Sequence, residues 1–208
     1  MGWYDSFSRW YDFLVTPHYK KARKIAIEQM GIKEGDMVLD LACGTGPNFE
    51  HLSPLVGNIG LVIGVDYSKG MIKKAQKKID KNKWENIVLV QEDAKQIDKT
   101  YITGICGREV QLDNLICVLG FSVIREHLQV MTNMYDLLKP GGTFAIVDIF
   151  ADKFVPQSWY VQKVASADLK RKSWEFLQKN CEDYSLSYLS RNRHLHGGLL
   201  YLASGKKR

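Results

Sequence analysis

Short runs of β-branched and aliphatic residues alternate along the chain with longer stretches whose apolar positions recur every three or four residues. The first kind reads as buried strands, the second as amphipathic helices. Strands are expected at 37–42 (MVLDLA), 61–66 (LVIGVD), 87–91 (IVLVQ), 113–119 (DNLICVL) and 143–149 (TFAIVDI), with helices at 19–30, 47–55, 69–81, 125–138 and 157–180. Alternation of this kind calls for a parallel sheet covered by helices on both faces. Near the end, YSLSYLS (184–190) and GLLYLASG (198–205) follow one another with no helix between them, which predicts an antiparallel pair at the sheet edge. The predicted fold class is therefore α/β: a three-layer Rossmann-like sandwich around a seven-stranded, mostly parallel sheet with an antiparallel C-terminal edge pair. Lys139-Pro140-Gly141-Gly142 is expected to end a helix and turn into the fifth strand.

Composition narrows the class without changing the fold. At 208 residues, 45% hydrophobic and 25% charged, the chain sits at the globular average, so disordered and collagen-like classes fall away. One domain over 1–208 is expected, with 1–30 as an aromatic cap segment and 151–180 as a second cap or helical segment. No apolar run approaches the length of about 18 residues that a membrane span needs, and MGWYDSFSRW lacks a secretory pattern, so a cytoplasmic location is expected. Cys43, Cys106, Cys117 and Cys181 form no C-x-x-C pair, and no histidine stands at zinc-ligand spacing. Neither a metal site nor a disulfide framework is indicated.

The net charge of +6 is local: seven of the 29 Lys and Arg lie between Lys69 and Lys83, and removing them leaves −1. Ile72, Ala75 and Ile79 recur at helical spacing there, with lysines on the other face, so the first reading is a solvated surface helix. A second reading is peripheral contact between helix 69–81 and an anionic membrane.

Chemistry concentrates in Asp40-Leu41-Ala42-Cys43-Gly44-Thr45-Gly46-Pro47, where the first strand should pass into the next helix. Glycines at that point allow a tight turn and close approach of backbone to ligand. Asp66 closes the next strand 22 residues after Gly44, where a carboxylate can accept hydrogen bonds from both hydroxyls of a ribose. Together they describe an adenosine site. A dinucleotide fingerprint begun at Gly44 would need Gly or Ala at 49, and Phe49 stands there, so a pyrophosphate meets a crowded helix start. S-adenosylmethionine carries no phosphate and suits the loop better.

At these residues the sequence resembles the class I S-adenosylmethionine-dependent methyltransferases. VLDLACGTGPN looks like the family's first motif, GVDYSKGMIKKA its second, QEDA its third, and LLKPGGTFAIVD the segment leading into and along its fifth strand. The resemblance implies that Asp40, Ala42, Gly44 and Gly46 surround the methionine moiety of S-adenosylmethionine. It implies further that Asp66 holds the ribose with Tyr67 and Met71 beside the adenine, that Asp93 and Ala94 border the adenine ring, and that Val118 and Leu119 end the strand beneath the sulfonium. DLKRKSWEFLQKN, GGLLYLASGKK and Tyr11-Asp12 are also similar to the quinone-biosynthesis and phospholipid N-methyltransferase branches. Where amino-methylating nucleic-acid enzymes carry an Asn-Pro-Pro-Tyr-like signature, this chain has Val118-Leu119-Gly120-Phe121-Ser122, and no nucleic-acid partner is expected.

The acceptor is read from aromatics. Seven of the 23 fall in the first 19 residues (Trp3, Tyr4, Phe7, Trp10, Tyr11, Phe13 and Tyr19), and Phe154, Trp159, Tyr160, Trp174 and Phe176 follow the fifth strand. Folded over the cofactor, they would wall a pocket for a small or lipid-like substrate such as a quinone ring or an amine head group. Tyr11 and Tyr19 are the candidates for facing it. Methyl transfer needs alignment more than acid–base help. Should an acceptor proton have to leave, His127 is the stronger catalytic candidate, with Tyr11 as a second, whereas His194 and His196 read as exposed edge residues. Two other readings stay open here: a non-catalytic S-adenosylmethionine-binding regulatory protein, and a nucleotide-dependent oxidoreductase.

Overall fold

In the computed structural model, residues 16–107 and 111–208 are described. Seven strands form one sheet in the order β3-β2-β1-β4-β5-β7-β6. They are β1 (Met37–Leu41), β2 (Leu61–Asp66), β3 (Ile87–Gln91), β4 (Leu112–Val118), β5 (Leu138–Phe150), β6 (Cys181–Ser190) and β7 (Leu199–Lys207). The pairs from β3 through β5 are parallel, while β7 runs antiparallel to both β5 and β6. The expected architecture, including the antiparallel edge, is what forms.

The helices are α1 (Thr16–Gln29), α2 (Phe49–Val56), α3 (Lys69–Asn82), α4 (Lys99–Cys106), α5 (His127–Leu137), α6 (Pro156–Ala165), α7 (Trp174–Asn180) and α8 (Arg193–His196). Successive residues of a strand point to opposite faces, so the unbroken apolar runs of the central strands bury both. Leu39, Leu41, Ile63, Leu115, Phe144 and Ile146 pack with α4, α5 and α7. Val38, Val62, Ile116, Ala145 and Val147 pack on the other face with α1, α2 and α3. α3 buries Met71, Ala75 and Ile79 and leaves Lys69, Lys73, Lys77 and Lys81 exposed. The helices that follow β1 and β2 thus lie on one face and those before and after β4 on the other, so the chain diverges between β1 and β4, where ligands bind in open α/β sheets.

Three local expectations are corrected. The stretch between Asp93 and β4, to which the apolar pattern assigns no element, carries α4, capped by Asp98, whose carboxylate accepts from Tyr101 N at 2.8 Å. The expected helix 157–180 is two helices: Ser166 turns left-handed (φ 52°), and the backbone that follows is drawn into strand-like bonds, Asp168 N to Ser122 O at 2.7 Å and Ala151 N to Leu169 O at 2.7 Å. β5 starts at Leu138, opposite Leu112, so Lys139–Gly142 lies inside the strand beside a register shift. Among the described residues, no helix is long and apolar enough to cross a membrane. Trp3, Tyr4, Phe7, Trp10, Tyr11 and Phe13 lie outside the described residues, and of the expected segment 1–30 the described part is α1 and the turn after it, with α1 packed on the sheet face.

Candidate cofactor site

The five parallel strands end on one edge, and the segments that follow them meet there. After β1 the backbone enters the left-handed region three times, at Ala42 (φ 54°), Gly44 (φ 58°) and Gly46 (φ 70°). A Cβ on Gly44 would meet nothing within 4 Å, so this side of the loop faces open space. A Cβ on Gly46 would collide with the ring of Phe49, which is fully buried. The same ring lies against β2, 2.7 Å from where a Cβ on Gly64 would stand. Phe49 therefore fills the space that a third glycine would leave, as a wedge under the loop. Gly46→Ala is expected to cost about 1–3 kcal/mol through backbone strain and overpacking. An unchanged thermal midpoint would contradict the wedge.

The far side of the switch point mirrors this strain. Leu119, just after β4, is also left-handed (φ 60°), and its N–H donates to Val147 O at 2.8 Å. A Cβ on the next residue, Gly120, would stand 2.9 Å from Ala42 Cβ, so the two strand ends touch. A non-glycine residue held this way costs of the order of 1–3 kcal/mol, and such residues cluster at binding sites.

Two carboxylates organise the loop. Asp66 accepts from Gly44 N through Oδ2 and from Ser68 N through Oδ1, both at 2.8 Å, and so ties β1's loop to the end of β2. Burial raises its pKa while those two amides oppose the rise. Asp40, on β1, is wholly buried. Its Oδ1 accepts from Asn48 Nδ2 at 2.9 Å, Asn48 Oδ1 accepts from Arg23 Nη1 at 3.1 Å, and Oδ2 has no hydrogen-bond partner among the described residues. Burial pushes the carboxyl up to about 7, against the Asn48 bond and the Arg23 charge, and the charge on Asp66 adds to the rise. A buried acceptor without a donor is uncommon and calls for an explanation. A cationic ligand group is one that fits.

The other expected positions fall along the same edge. Tyr67 is 71% exposed and Met71 is buried one turn into α3, whose N-terminus is capped by Ser68 Oγ accepting from Met71 N. Asp93 is half-buried after β3 and caps the short turn Ala94–Gln96 by accepting from Lys95 N at 3.1 Å. Val118 is buried and Leu119 half-buried at the end of β4. His127 opens α5 on this edge, half-buried, with Nδ1 3.4 Å from Arg125 O. Tyr19 reaches the edge too, but its ring is buried against His196, centroids 5.2 Å apart. His194 is exposed as expected, His196 is buried against Tyr19 contrary to expectation, and Tyr11 lies outside the described residues. No group of three or more His, Cys, Asp or Glu is arranged to hold a metal among the described residues.

Sequence reasoning misses the supports. Arg23 carries no motif, and Asn48 stands as the last residue of the first motif with no role assigned to it there. A second network braces the segment after β4: Asp148 on β5 accepts from Ser122 N at 2.8 Å, and Arg171 Nη1 donates to Phe121 O at 2.9 Å and to Ile124 O. Asp148 is also fully buried, its carboxyl pushed up to about 6 by burial.

A glycine loop at the switch point, a carboxylate at the end of β2 and a β7 inserted antiparallel between β5 and β6 define the class I S-adenosylmethionine-dependent methyltransferase type. Residues 32–191 match a family model described as a methyltransferase domain, and the chain belongs to that family. It is 27% identical over 192 residues to the demethylmenaquinone methyltransferase of Oceanobacillus iheyensis, covering 87% of this chain and 75% of that one. Against the enzyme of the same name from Listeria monocytogenes it is 27% identical over 143 residues, 69% of this chain and 57% of that one, so the alignment spans little more than half of that relative. The phosphoethanolamine N-methyltransferase 2 of Haemonchus contortus, solved with S-adenosyl-L-methionine, superposes with a TM-score of 0.69 at 16% identity, over 90% of this chain and 52% of that one. The cofactor of this chain is S-adenosylmethionine.

Proposed function

We propose that this chain transfers the methyl group of S-adenosylmethionine to a small apolar or lipid-like acceptor, a quinone-type ring carbon before an amine head group. Most directly supporting the cofactor site is the loop itself: open space over Gly44, whose N–H is held by Asp66, with the buried Asp40 on the strand that leads into it. In this reading Asp66 accepts from the ribose hydroxyls with the lone pairs left over from Gly44 and Ser68. Tyr67, Met71, Asp93 and Ala94 border the adenine. Ala42, Gly44, Gly46 and Asp40 receive the methionine arm, and Val118 and Leu119 underlie the sulfur.

Bound S-adenosylmethionine supplies a methyl already activated by a sulfonium. The residues at the ends of β1 and β4 need only hold the acceptor in line and keep water out, and orientation of this kind contributes roughly 7–11 kcal/mol of barrier reduction. Held there, the cofactor would supply the methyl group alone, and a ring carbon that gains it would have to release a proton. His127, on the same edge, is the candidate to take it. The similarity to demethylmenaquinone methyltransferases favours the ring carbon, and the fold shared with the phosphoethanolamine enzyme keeps the amine as the second reading.

The deciding experiment supplies methyl-labelled S-adenosylmethionine with a short-chain demethylmenaquinol analogue, phosphoethanolamine and phosphatidylethanolamine in parallel. Label in the quinol alone is the expected result. Label in an amine alone would replace this reading by the second. His127→Ala is expected to lower kcat on the quinol by about 10²–10⁴-fold with little change in cofactor affinity. Activity at the parent's level would remove the base role. Peripheral membrane contact through α3 is part of the proposal, since exposed lysines near an anionic surface contribute about 1 kcal/mol each. Equal sedimentation with neutral and anionic vesicles would remove it.

A further inference from the structure

Arg23 and Asn48 have no part in the adenosine site just described, yet they form a buried polar chain that ends on it. Arg23 lies on α1 and is 4% exposed; Asn48 precedes α2 and is 1% exposed; Asp40 is fully buried at the end of β1. Three separate segments are thus joined, over 25 and 8 residues of sequence, by two hydrogen bonds. The direction of the chain is forced by chemistry. A guanidinium donates and never accepts, so the side of the Asn48 amide facing Arg23 must be its oxygen, and its NH₂ must face Asp40. An asparagine alone could turn either end to the carboxyl group, and with its oxygen inward it would demand a protonated Asp40.

With the amide fixed this way, Asp40 receives a donor on Oδ1, and Oδ2 has none among the described residues. The positive charge of Arg23 favours the ionised carboxylate from behind, whereas Asp66 opposes it. None of the described residues supplies a donor for Oδ2, and of the parts of S-adenosylmethionine only the ammonium of the methionine arm brings both the protons and the charge that a buried carboxylate selects. We propose that Arg23 and Asn48 are positioning residues that hold Asp40 as a one-sided acceptor for the cofactor's α-ammonium, so that α1 helps to choose an amino-acid-bearing nucleoside over a plain one. The inference rests on the cofactor reading above.

Two ligands separate it from a merely structural role. S-adenosylhomocysteine carries the aminocarboxypropyl arm; 5′-methylthioadenosine keeps the nucleoside and thioether and lacks the arm. Calorimetric titration of both into the parent chain, Arg23→Met, Arg23→Lys and Asn48→Ser is the test, with thermal melts to establish folding. Arg23→Met is expected to weaken S-adenosylhomocysteine by about tenfold to a hundredfold, the range of a lost charge-assisted contact, and to leave methylthioadenosine within about twofold. Arg23→Lys, which keeps charge and donor, should recover most of the loss. Asn48→Ser is expected to repeat the selective loss and carries the test if Arg23→Met does not fold. Equal weakening of both ligands, or of neither, in the folded variants would overturn the positioning role while leaving the cofactor reading intact. A parent chain that binds neither ligand would overturn the cofactor reading itself, and this proposal with it.

Discussion

Asp66→Ala is expected to weaken S-adenosylhomocysteine by about 10²-fold or more. Two losses combine. The carboxylate's spare lone pairs no longer meet the ribose, and hydrogen bonds to a charged acceptor contribute about 1.5–3 kcal/mol each. The same oxygens also accept from Gly44 N and Ser68 N, so the glycine loop loses its tether to β2 and the cap of α3 loses its brace. Asp66→Asn separates the two: it keeps one acceptor oxygen but turns an NH₂ toward one of the backbone N–H groups, so it should bind no better than the alanine variant. Glu92, which follows β3 and whose N–H donates to Asp66 O at 3.2 Å, is bound through the main chain and should not respond to either change. Titration of both variants beside the parent checks the claim. An alanine variant within threefold of the parent would move the ribose elsewhere.

Asp40→Asn should lose binding and gain stability as the pH rises. The carboxyl of Asp40 is raised from 3.8 to about 7 by burial, so the folded, ligand-free protein holds this proton more tightly than the unfolded chain does. Unfolding therefore releases a proton between those values, and stability falls as the pH climbs through the window from about 4 to about 7, levelling off above it. Asp148, raised to about 6 by burial, adds a loss of the same sign that is complete by about pH 6. Replacing Asp40 removes the larger part. Relative to the parent, Asp40→Asn is expected to gain on the order of 2 kcal/mol between pH 5 and pH 7.5, because one proton released on unfolding changes stability by about 1.4 kcal/mol for each pH unit crossed inside the window. Urea unfolding of ligand-free parent and variant at the two pH values measures it. A gain of that size marks Asp40 as a place where stability is given up for an acceptor that only the ligand satisfies. A constant difference between the two proteins would mean that the carboxylate is not destabilised by its surroundings.

The sheet and the glycine loop are legible in the sequence because their signals are local and redundant. Each central strand is an apolar run of the right length, and each is followed by the residues its edge position requires. The supports are not legible, for the opposite reason. Arg23 reads as one basic residue among Lys20, Lys21 and Lys24, and nothing local marks it as the one that turns inward. Asn48 reads as a helix-start residue, and its pairing with Asp40 emerges only when α1 and α2 lie against β1. Helical periodicity runs through 157–180 because no glycine or proline marks the break. What breaks it is tertiary: Asp168 and Leu169 gain strand-like partners at Ser122 and Ala151 that a continuous helix would deny them. α4 carries a readable signal in Asp98, three residues before Tyr101, which the apolar pattern alone does not weigh. Phe49 reads in the sequence as an obstacle to pyrophosphate, and the structure gives it a positive role as the wedge beneath Gly46.

Most direct for the central claim is a parallel calorimetric titration of the chain with S-adenosylmethionine, S-adenosylhomocysteine and NADH, repeated with Asp66→Ala. Micromolar binding of the first two, lost in the variant, with no heat from NADH, is the predicted result. Binding of NADH, or equal affinity of parent and variant for S-adenosylhomocysteine, would contradict it.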